Sequence, residues 1–169
     1  FAIGTQKLYD FMNDSPDVLL MRGSYVNNPY VIAKNYKMIS INTAIQVDVL
    51  GQVSSQSLGT RQFSGTGGQL DTHRGAQMSP GGKGIIALRS TAKNGTISTI
   101  VPTLAPGAGV TVPSQDVDTI VTEYGSAQLR GLSVKKRMEA LINIAHPDFR
   151  ETIREDCHRL GIVPDKQYF

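Results

Sequence analysis

The sequence predicts a single α/β domain over residues 1–169, in which a mixed β-sheet is flanked by helices and an αα pair ends the chain. Strand-like segments fill much of residues 18–122, whereas two helical patterns fill the end. Strands and helices do not alternate as regular βαβ units would require. The 169 residues, 40% of them hydrophobic, suit one packed core, and no linker or internal repeat divides them.

The first part of the chain predicts three short elements. Apolar residues recur at helical spacing in GTQKLYDFMN, which predicts an amphipathic helix over residues 4–13. VLLM at 18–21 predicts a short buried strand. Asn28-Pro29 then predicts a turn, because the residue before a proline is pushed out of the helical region.

The clearest alternation runs through residues 39–49, ISINTAIQVDV. Polar residues occupy one face, and the other face carries Ile39, Ile41, Ile45, Val47 and Val49. This pattern predicts one strand with a single buried side. Gly51-Gln52 is expected to turn this strand into the run VSSQSL.

The middle of the chain predicts three more strands. GIIALRST at 84–91 and TISTIVP at 96–102 flank an Asn94-Gly95 pair, which predicts a hairpin because both residues tolerate positive φ. DVDTIVT at 116–122 predicts another strand, which leads into Glu123.

Two helices are predicted at the end of the chain. Ser133 is a suitable N-cap for the first, whose apolar stripe comprises Val134, Met138, Leu141, Ile142 and Ala145. Pro147 suits the first position of the second, and Gly161 suits its end. The inner face of this second helix comprises Phe149, Ile153, Cys157 and Leu160.

Composition excludes several classes of function. The net charge is only +3 and the basic residues are scattered, so we expect no nucleic-acid partner. The apolar runs are too short to span a bilayer, so we expect no membrane partner. The chain begins at Phe1 without an initiator Met and resembles the interior of a longer protein.

Cysteine and histidine usage narrows the chemistry further. The single cysteine, Cys157, excludes an intrachain disulfide and suits a reducing compartment, so we expect a cytoplasmic protein. The sequence spacing of the histidines gives no metal-ligand pattern, so we expect no metal site. They are His73, His146 and His158.

Residues 64–84, SGTGGQLDTHRGAQMSPGGKG, contain seven glycines. A P-loop fails here because Gln77 and Gly84 stand where the motif needs Gly and Ser or Thr. The dinucleotide fingerprint fails because Leu70 stands where it needs Gly. Two interpretations remain: a flexible loop between elements, or a set of bare backbone amides that bind a carbonyl oxygen or an oxyanion.

Several motifs occur in order along the chain: GTGGQLD, RGAQMSPGGKGIIAL, STAKNGTISTIVP, VTEYG, LRG and ALINIAHPDFR. Together they closely resemble the acetyl-CoA hydrolase/transferase family, which includes the 4-hydroxybutyrate and butyryl CoA-transferases. The resemblance runs from about Gly4 to about Leu160 and matches only the C-terminal half of those enzymes.

The resemblance implies a CoA-transferase-like fold and an activity. Family members have two similarly built α/β domains, and they transfer CoA between carboxylic acids through a glutamyl-CoA thioester or hydrolyse an acyl-CoA. The implied substrates are an acyl-CoA and a short-chain carboxylate such as acetate, butyrate or 4-hydroxybutyrate. Coenzyme A is then a co-substrate, without a metal or prosthetic group.

The resemblance also implies roles for individual residues. The family's CoA-contacting, oxyanion-side loop matches Ser64, Gly65, Gly67, Gly68 and Gln69, with Gly68 on the catalytic side. Lys93 matches a lysine that reaches CoA. Glu123 matches a second active-site glutamate that is not the nucleophile. Asn27 matches an asparagine near the acyl site, with Asn28 as a neighbouring candidate.

Two positions depart from the family pattern. Thr72 stands where an aromatic residue usually follows GGQ-x-D, which implies altered packing behind the glycine loop or a wider acyl pocket. Arg89 stands where IIALPST would have proline, which removes a constraint and adds a charge.

The nucleophilic glutamate of the family lies upstream of the segment that matches this chain. The resemblance therefore implies a C-terminal domain that is catalytically incomplete and works with an N-terminal domain of the same enzyme. Without that domain, the chain is expected to expose apolar surface, and we expect a homo-oligomer. Two alternatives remain: an acyl-CoA hydrolase, and a non-catalytic CoA-binding or regulatory module.

Overall fold

The structure is a computed structural model that describes residues 2–162. Its helices are α1 Gln6–Met12, α2 Gly23–Val26, α3 Pro29–Ile32, α4 Gln69–Met78, α5 Val134–Ile144 and α6 Pro147–Arg159. Its strands are short: β1 Ile39–Asn42, β2 Gln46–Asp48, β3 Val53–Ser54, β4 Ser57–Leu58, β5 Arg61–Gln62, β6 Lys83–Ala87, β7 Thr91–Ala92, β8 Ile97–Ser98, β9 Ile100–Val101, β10 Thr119–Thr122 and β11 Gly125–Gln128.

The largest sheet has the strand order β1-β6-β10-β11. Its first three strands are parallel and β11 is antiparallel to β10, so the predicted mixed sheet is confirmed. Asn42 is aligned with Ile86, and Ile86 with Ile120. The carboxyl ends of the three parallel strands therefore lie at one edge of the sheet.

Helices α4 and α5 pack on the same face of this sheet. The ring of His73 in α4 lies so close to Gly84 in β6 that a Cβ there would come within 2.6 Å of it. In the neighbouring strand β10, the Thr122 hydroxyl donates to the carbonyl of Ile144 in α5, at 2.6 Å. Ile86 and Ile120 are aligned, and Gly84 and Thr122 each lie two residues from one of them, so both positions belong to the same face of the sheet. The two helices therefore cover one face.

A second sheet, in the order β3-β2-β9, joins the same hydrophobic core. Its central strand is parallel to β9 and antiparallel to β3. Fully buried side chains link the two sheets and the last two helices, among them Val47, Val53, Ile86, Ile100, Ile120, Leu141 and Ile142.

The C-terminal αα pair is confirmed. The Ser133 hydroxyl accepts from the Lys136 amide at 3.4 Å, and Pro147 is the first residue of α6. Gly161 has a φ of +64° just after α6 ends. The predicted apolar faces of the two helices are wrong at one position each. Val134 and Leu160 are exposed, because they lie at helix ends that extend beyond the core.

Two other local predictions are confirmed. α1 forms within the predicted segment, although its side chains contribute nothing to the buried core. The hairpin joins β7 and β8, and Lys93, Asn94 and Gly95 all have positive φ at its tip. The strands predicted over residues 84–91 and 96–102 are wrong as single elements, because β6 and β9 belong to other sheets.

The predicted strand over residues 39–49 is wrong as one element. It breaks at Thr43, whose carbonyl accepts from the side chains of Gln69 and Ser55 instead of joining a ladder. β1 and β2 then enter different sheets. In β1 the predicted buried side is the open one, because Ser40 faces α4 while Ile39 and Ile41 are 45% and 66% exposed.

Other predictions from the sequence are wrong or incomplete. Residues 18–21 form no strand, and Leu19 and Leu20 are exposed. Asn28 lies in the extended region as predicted, but it caps α3 rather than forming a simple turn. The glycine-rich stretch contains α4, which was not predicted because glycines lie at both of its ends. Strand β11 was not predicted either.

Candidate active site

The glycine loop, residues 64–68, connects β5 to the first turn of α4. Gly68 is the N-cap of this helix, and Gly67 has a φ of +58°, which an L residue rarely adopts. A Cβ on Gly65 or Gly67 would meet nothing within 4 Å. The loop therefore presents uncovered backbone beside a helix N-terminus, where amides and the helix dipole favour negative charge.

Asn27 lies directly over this loop. It follows α2, and a Cβ on Gly68 would come within 2.7 Å of the Asn27 Nδ2. The neighbouring Asn28 has a different task, since its Oδ1 accepts from the Tyr30 amide at 2.9 Å and caps α3. The structure thus brings Asn27, and not the side chain of Asn28, to the glycine loop.

Both features border one cavity of about 1000 Å³. Its apolar wall comes from the segment before α3 and includes Leu20, Met21 and Val26. Its polar wall includes Asn27, Asn42, Ser55, Ser64, Thr66, Gln69 and Thr72. A mixed wall of this kind can hold an acyl chain on one side and a polar carbonyl on the other.

Polar contacts fix the back of the cavity. The Thr72 hydroxyl donates to the Gln69 carbonyl at 3.1 Å and accepts from the Asn42 amide group at 3.3 Å. The Gln69 side chain donates to the Thr43 carbonyl at 3.2 Å, which ties the start of α4 to the end of β1. Thr72 therefore stands behind the glycine loop and lines the cavity, where an aromatic side chain would occupy more space.

Ser64 begins the loop. Its hydroxyl donates to the Gly65 carbonyl at 2.9 Å, and its own carbonyl accepts from Gln62 at 2.5 Å. These local bonds hold the chain as it leaves β5, and the side chain itself is exposed.

Glu123 follows the carboxyl end of β10, in the turn to β11. Its two carboxylate oxygens accept from Ser90, one from the hydroxyl at 2.7 Å and one from the amide at 2.9 Å. Partial burial by itself raises the pKa of Glu123, but these hydrogen bonds and the charge of Arg89 outweigh it, so the pKa lies below its ordinary value. Glu123 is therefore ionised at neutral pH.

Lys93 lies at the exposed tip of the β7–β8 hairpin, with a φ of +48°. Lys93 and Glu123, both among the described residues, lie outside the wall of the cavity that Asn27 and Gly68 border. They share an edge with it, because β1, β6 and β10 run parallel and end beside Asn42, Ser90 and Glu123. This carboxyl edge is where open α/β sheets bind ligands.

Two structural features are absent from residues 2–162. No helix in this range has the length and apolar character needed to cross a membrane. No three His, Cys, Asp or Glu side chains within it come together as metal ligands would.

Comparison with known proteins decides the family. The family described as "Acetyl-CoA hydrolase/transferase C-terminal domain" matches residues 4–157. The chain belongs to this family.

The curated relatives of this acetyl-CoA hydrolase/transferase domain are longer proteins. The chain is 55% identical to succinyl-CoA:cyclohexane-1-carboxylate CoA transferase of Geobacter metallireducens, with 96% of the chain and 37% of that protein covered. It is 54% identical to 4-hydroxybutyrate coenzyme A transferase of Clostridium kluyveri, over 92% of the chain and 36% of that protein. An acetyl-CoA hydrolase of Kluyveromyces lactis is 34% identical, over 92% of the chain and 29% of that protein. The chain thus spans little more than a third of the first two relatives.

Solved structures support the same assignment. RipA from Yersinia pestis matches with a TM-score of 0.86 and 39% identity, over 96% of the chain and 35% of that structure. The 4-hydroxybutyrate CoA-transferase from Porphyromonas gingivalis matches with a TM-score of 0.74 and 44% identity, over 93% and 35%. The predicted CoA-transferase-like fold is confirmed.

Several residues of this acetyl-CoA hydrolase/transferase domain were not predicted as site residues from the sequence. Asn42 and Ser55 line the cavity, and Ser90 holds Glu123. Asn42 had a signal, since a polar residue ended the strand-like run ISIN. Ser90 had none, because its partner lies 33 residues further along the chain.

Proposed function

We propose that this chain is the C-terminal CoA- and acyl-site domain of an enzyme that transfers CoA from an acyl-CoA to a short-chain carboxylate such as acetate, butyrate or 4-hydroxybutyrate. The observation that carries the proposal is the meeting of Asn27 and the bare glycine loop at one cavity, in a chain whose relatives are CoA transferases. The reaction passes through a glutamyl-CoA thioester on a glutamate that lies outside this chain.

The glycine loop stabilises the developing charge in this mechanism. When a thioester or acyl anhydride is attacked, its carbonyl oxygen becomes negative, and preorganised amides aimed at that oxygen lower the barrier. Gly67 and Gly68 supply amides beside the N-terminus of α4 without a Cβ in the way. The amide group of Asn27 adds a side-chain donor on the same side.

Glu123 and Lys93 have supporting roles in this proposal. Glu123 is an ionised carboxylate at the carboxyl edge of the sheet, where it can accept a hydrogen bond or a proton from the reacting substrates. Lys93 carries a positive charge at a hairpin tip beside that edge, which suits the phosphates of CoA. The co-substrate CoA needs no metal or prosthetic group for this chemistry.

The partner that we propose is the N-terminal domain of the same enzyme, which supplies the nucleophile. Apolar side chains of this chain remain uncovered on the open sheet face and in the segment before α3, including Ile39, Ile41, Leu19, Leu20 and Met21. Uncovered large apolar side chains that lie together are typical of an interaction surface. We also propose a homo-oligomer in the cytoplasm, where the thiol of the buried Cys157 stays reduced.

An acyl-CoA hydrolase is the second candidate, because the acetyl-CoA hydrolase of Kluyveromyces lactis is a relative. The two reactions differ in the final acceptor, which is water in hydrolysis and a carboxylate in transfer. Water exclusion from the cavity decides between them.

The test uses a chimera in which this chain replaces the matching segment of the 4-hydroxybutyrate coenzyme A transferase of Clostridium kluyveri. We expect CoA transfer from butyryl-CoA to acetate that exceeds release of free CoA. Release of free CoA at a rate independent of acetate would instead indicate the hydrolase. A folded chimera with neither activity would contradict the enzyme assignment and favour a non-catalytic CoA-binding module.

Substitutions in the chimera then test the site. Gly68→Ala would place a Cβ 2.7 Å from the Asn27 Nδ2, so we expect kcat to fall about 10²–10³-fold. Asn27→Ala should lower kcat as well, and the double variant should cost no more than Asn27→Ala, because the clash partner is gone. Additive effects would contradict the joint role of the two residues.

A further inference from the structure

Ser90 holds both carboxylate oxygens of Glu123. Its hydroxyl donates to Oε1 at 2.7 Å and its amide donates to Oε2 at 2.9 Å. Two donors from one residue fix the plane of the carboxylate as well as its position. Each carboxylate oxygen keeps a second lone pair, and Glu123 is exposed, so it can still accept from another molecule.

Ser90 is itself held by the core. It is 0% exposed, and its carbonyl accepts from the Thr99 amide at 3.0 Å. The Thr99 hydroxyl donates to the carbonyl of the preceding residue, Arg89, at 2.6 Å. The Thr99 carbonyl accepts from Val47, whose side chain is fully buried, at 2.9 Å. A chain of hydrogen bonds therefore connects Glu123 to the second sheet.

Ser90 also links two of the predicted site residues. It immediately precedes β7, the first strand of the hairpin whose tip carries Lys93. It lies on the connection that leaves β6, while Glu123 leaves the neighbouring parallel strand β10. Its contacts therefore fix the position of Glu123 relative to the base of that hairpin.

We propose that Ser90 is a positioning residue, which orients the Glu123 carboxylate toward the substrates at the carboxyl edge of the sheet. This inference rests on the proposed function of Glu123 and adds the residue that aims it. The direction of the pKa of Glu123 agrees with the geometry, since the Ser90 donors offset the effect of burial. Without the Ser90 hydroxyl, one hydrogen bond fewer offsets the effect of burial on the pKa of Glu123.

The test is Ser90→Ala in the chimera, with kcat/KM measured across pH. We expect a loss of about tenfold to a hundredfold at neutral pH, because a displaced catalytic group costs that much. We also expect the acid limb of the profile to move to higher pH, because Glu123 is harder to ionise. Ser90→Thr keeps the hydroxyl and should restore both the rate and the position of the acid limb.

The matched control is Ser98→Ala. Ser98 is also a buried serine, on β8 of the same hairpin, but its hydroxyl donates to the Ile100 carbonyl at 2.7 Å. We expect its acid limb to stay in place. An equal movement of the acid limb in Ser98→Ala and Ser90→Ala would overturn the inference.

A double variant separates positioning from loss of fold. If Ser90 acts through Glu123, then Ser90→Ala with Glu123→Gln costs no more than Glu123→Gln alone. Additive losses, or an unmoved acid limb in Ser90→Ala, would overturn the role of Ser90 while leaving Glu123 in place. An unchanged rate in Glu123→Gln would instead overturn the proposed function of Glu123 itself.

Discussion

The two faces of the four-stranded sheet consist of alternate residues of the same strands, yet their surroundings are opposite. On the closed face, Ser40 and Ile120 are buried under α4 and α5. On the open face, Ile39 and Ile41 remain largely exposed. The polar side chain of β1 is inside and its large apolar side chains are outside.

This difference shows that polarity alone does not decide which side of a strand a helix covers. α4 approaches the sheet so closely at β6 that the His73 ring fills the place of a side chain on Gly84. A side chain larger than that of glycine does not fit at this position of β6. The large apolar residues of the open face are then available for contact with the N-terminal domain that we propose as a partner.

The largest effect that tests this comparison is expected at Ile120, on the closed face. Ile120→Ala should lower the free energy of unfolding of this chain by about 2–5 kcal/mol, because it leaves a cavity in the core. Urea denaturation monitored by circular dichroism measures it. Ile41→Ala is the matched variant on the open face and should cost less than about 1 kcal/mol. Equal costs would contradict the assignment of the two faces.

A smaller loss is expected from Gly84→Ala. The new Cβ would lie 2.6 Å from the His73 ring, so α4 or the ring must move, at about 1–3 kcal/mol of unfolding free energy. Gly23→Ala is the control, because a Cβ there meets nothing within 4 Å. Thermal denaturation of both variants measures the difference. An unchanged melting temperature for Gly84→Ala would show that α4 does not press on the sheet.

The open face should govern self-association of the isolated chain. Replacing the 66% exposed Ile41 by serine removes apolar area, so the dissociation constant should rise roughly tenfold. Sedimentation velocity over a range of concentrations measures this constant. Val134→Ser, an exposed apolar position at the start of α5, should leave it unchanged. Association that is weakened equally by both variants would contradict a specific role for the open face.

The smallest effect is expected from pH, through His73 under the closed face. Burial lowers the pKa of His73, although Asp118 and Asp116 oppose this, and its Nε2 accepts from the Asp118 amide at 3.2 Å. The unfolded chain therefore binds the proton more readily, and stability should fall as pH drops below about 6.5, by at most about 1.4 kcal/mol per pH unit.

The measurement compares the free energy of unfolding at pH 7.5 and pH 5.5. His73→Gln keeps an acceptor for the Asp118 amide without a titrating group, so its loss on acidification should be smaller than that of the native sequence. An equal loss in both proteins would show that His73 is not the group responsible.

Much of the fold could be predicted because it depends on local chemistry. The Asn94-Gly95 hairpin, the Ser133 cap and the Pro147 start of α6 each follow from a residue's own conformational preference. The prediction for residues 39–49 failed because the alternation of apolar and polar residues shows only that the two sides of a strand differ in polarity. Alternation does not report where Thr43 finds its hydrogen-bond partners or which side a helix covers.

The candidate site was predictable in part for a similar reason. The glycine loop and Asn27 carry recognisable motifs, and the structure brings them together at one cavity. α4 was not predicted, because the glycines on both sides of it indicate a loop. The ten residues between them, QLDTHRGAQM, nevertheless form a helix. Ser90 could not be predicted, since the role that we propose for it depends on a contact between the ends of two parallel strands.

The most direct test of the proposed function measures CoA transfer from butyryl-CoA to acetate by two proteins, the isolated chain and the chimera with the amino-terminal part of the Clostridium kluyveri enzyme. We expect no transfer by the isolated chain, even when it is folded and monomeric, and transfer by the chimera. Transfer by the isolated chain would place the nucleophile among its own residues. Its absence from a folded chimera would contradict the assignment of this chain as the C-terminal half of the active site.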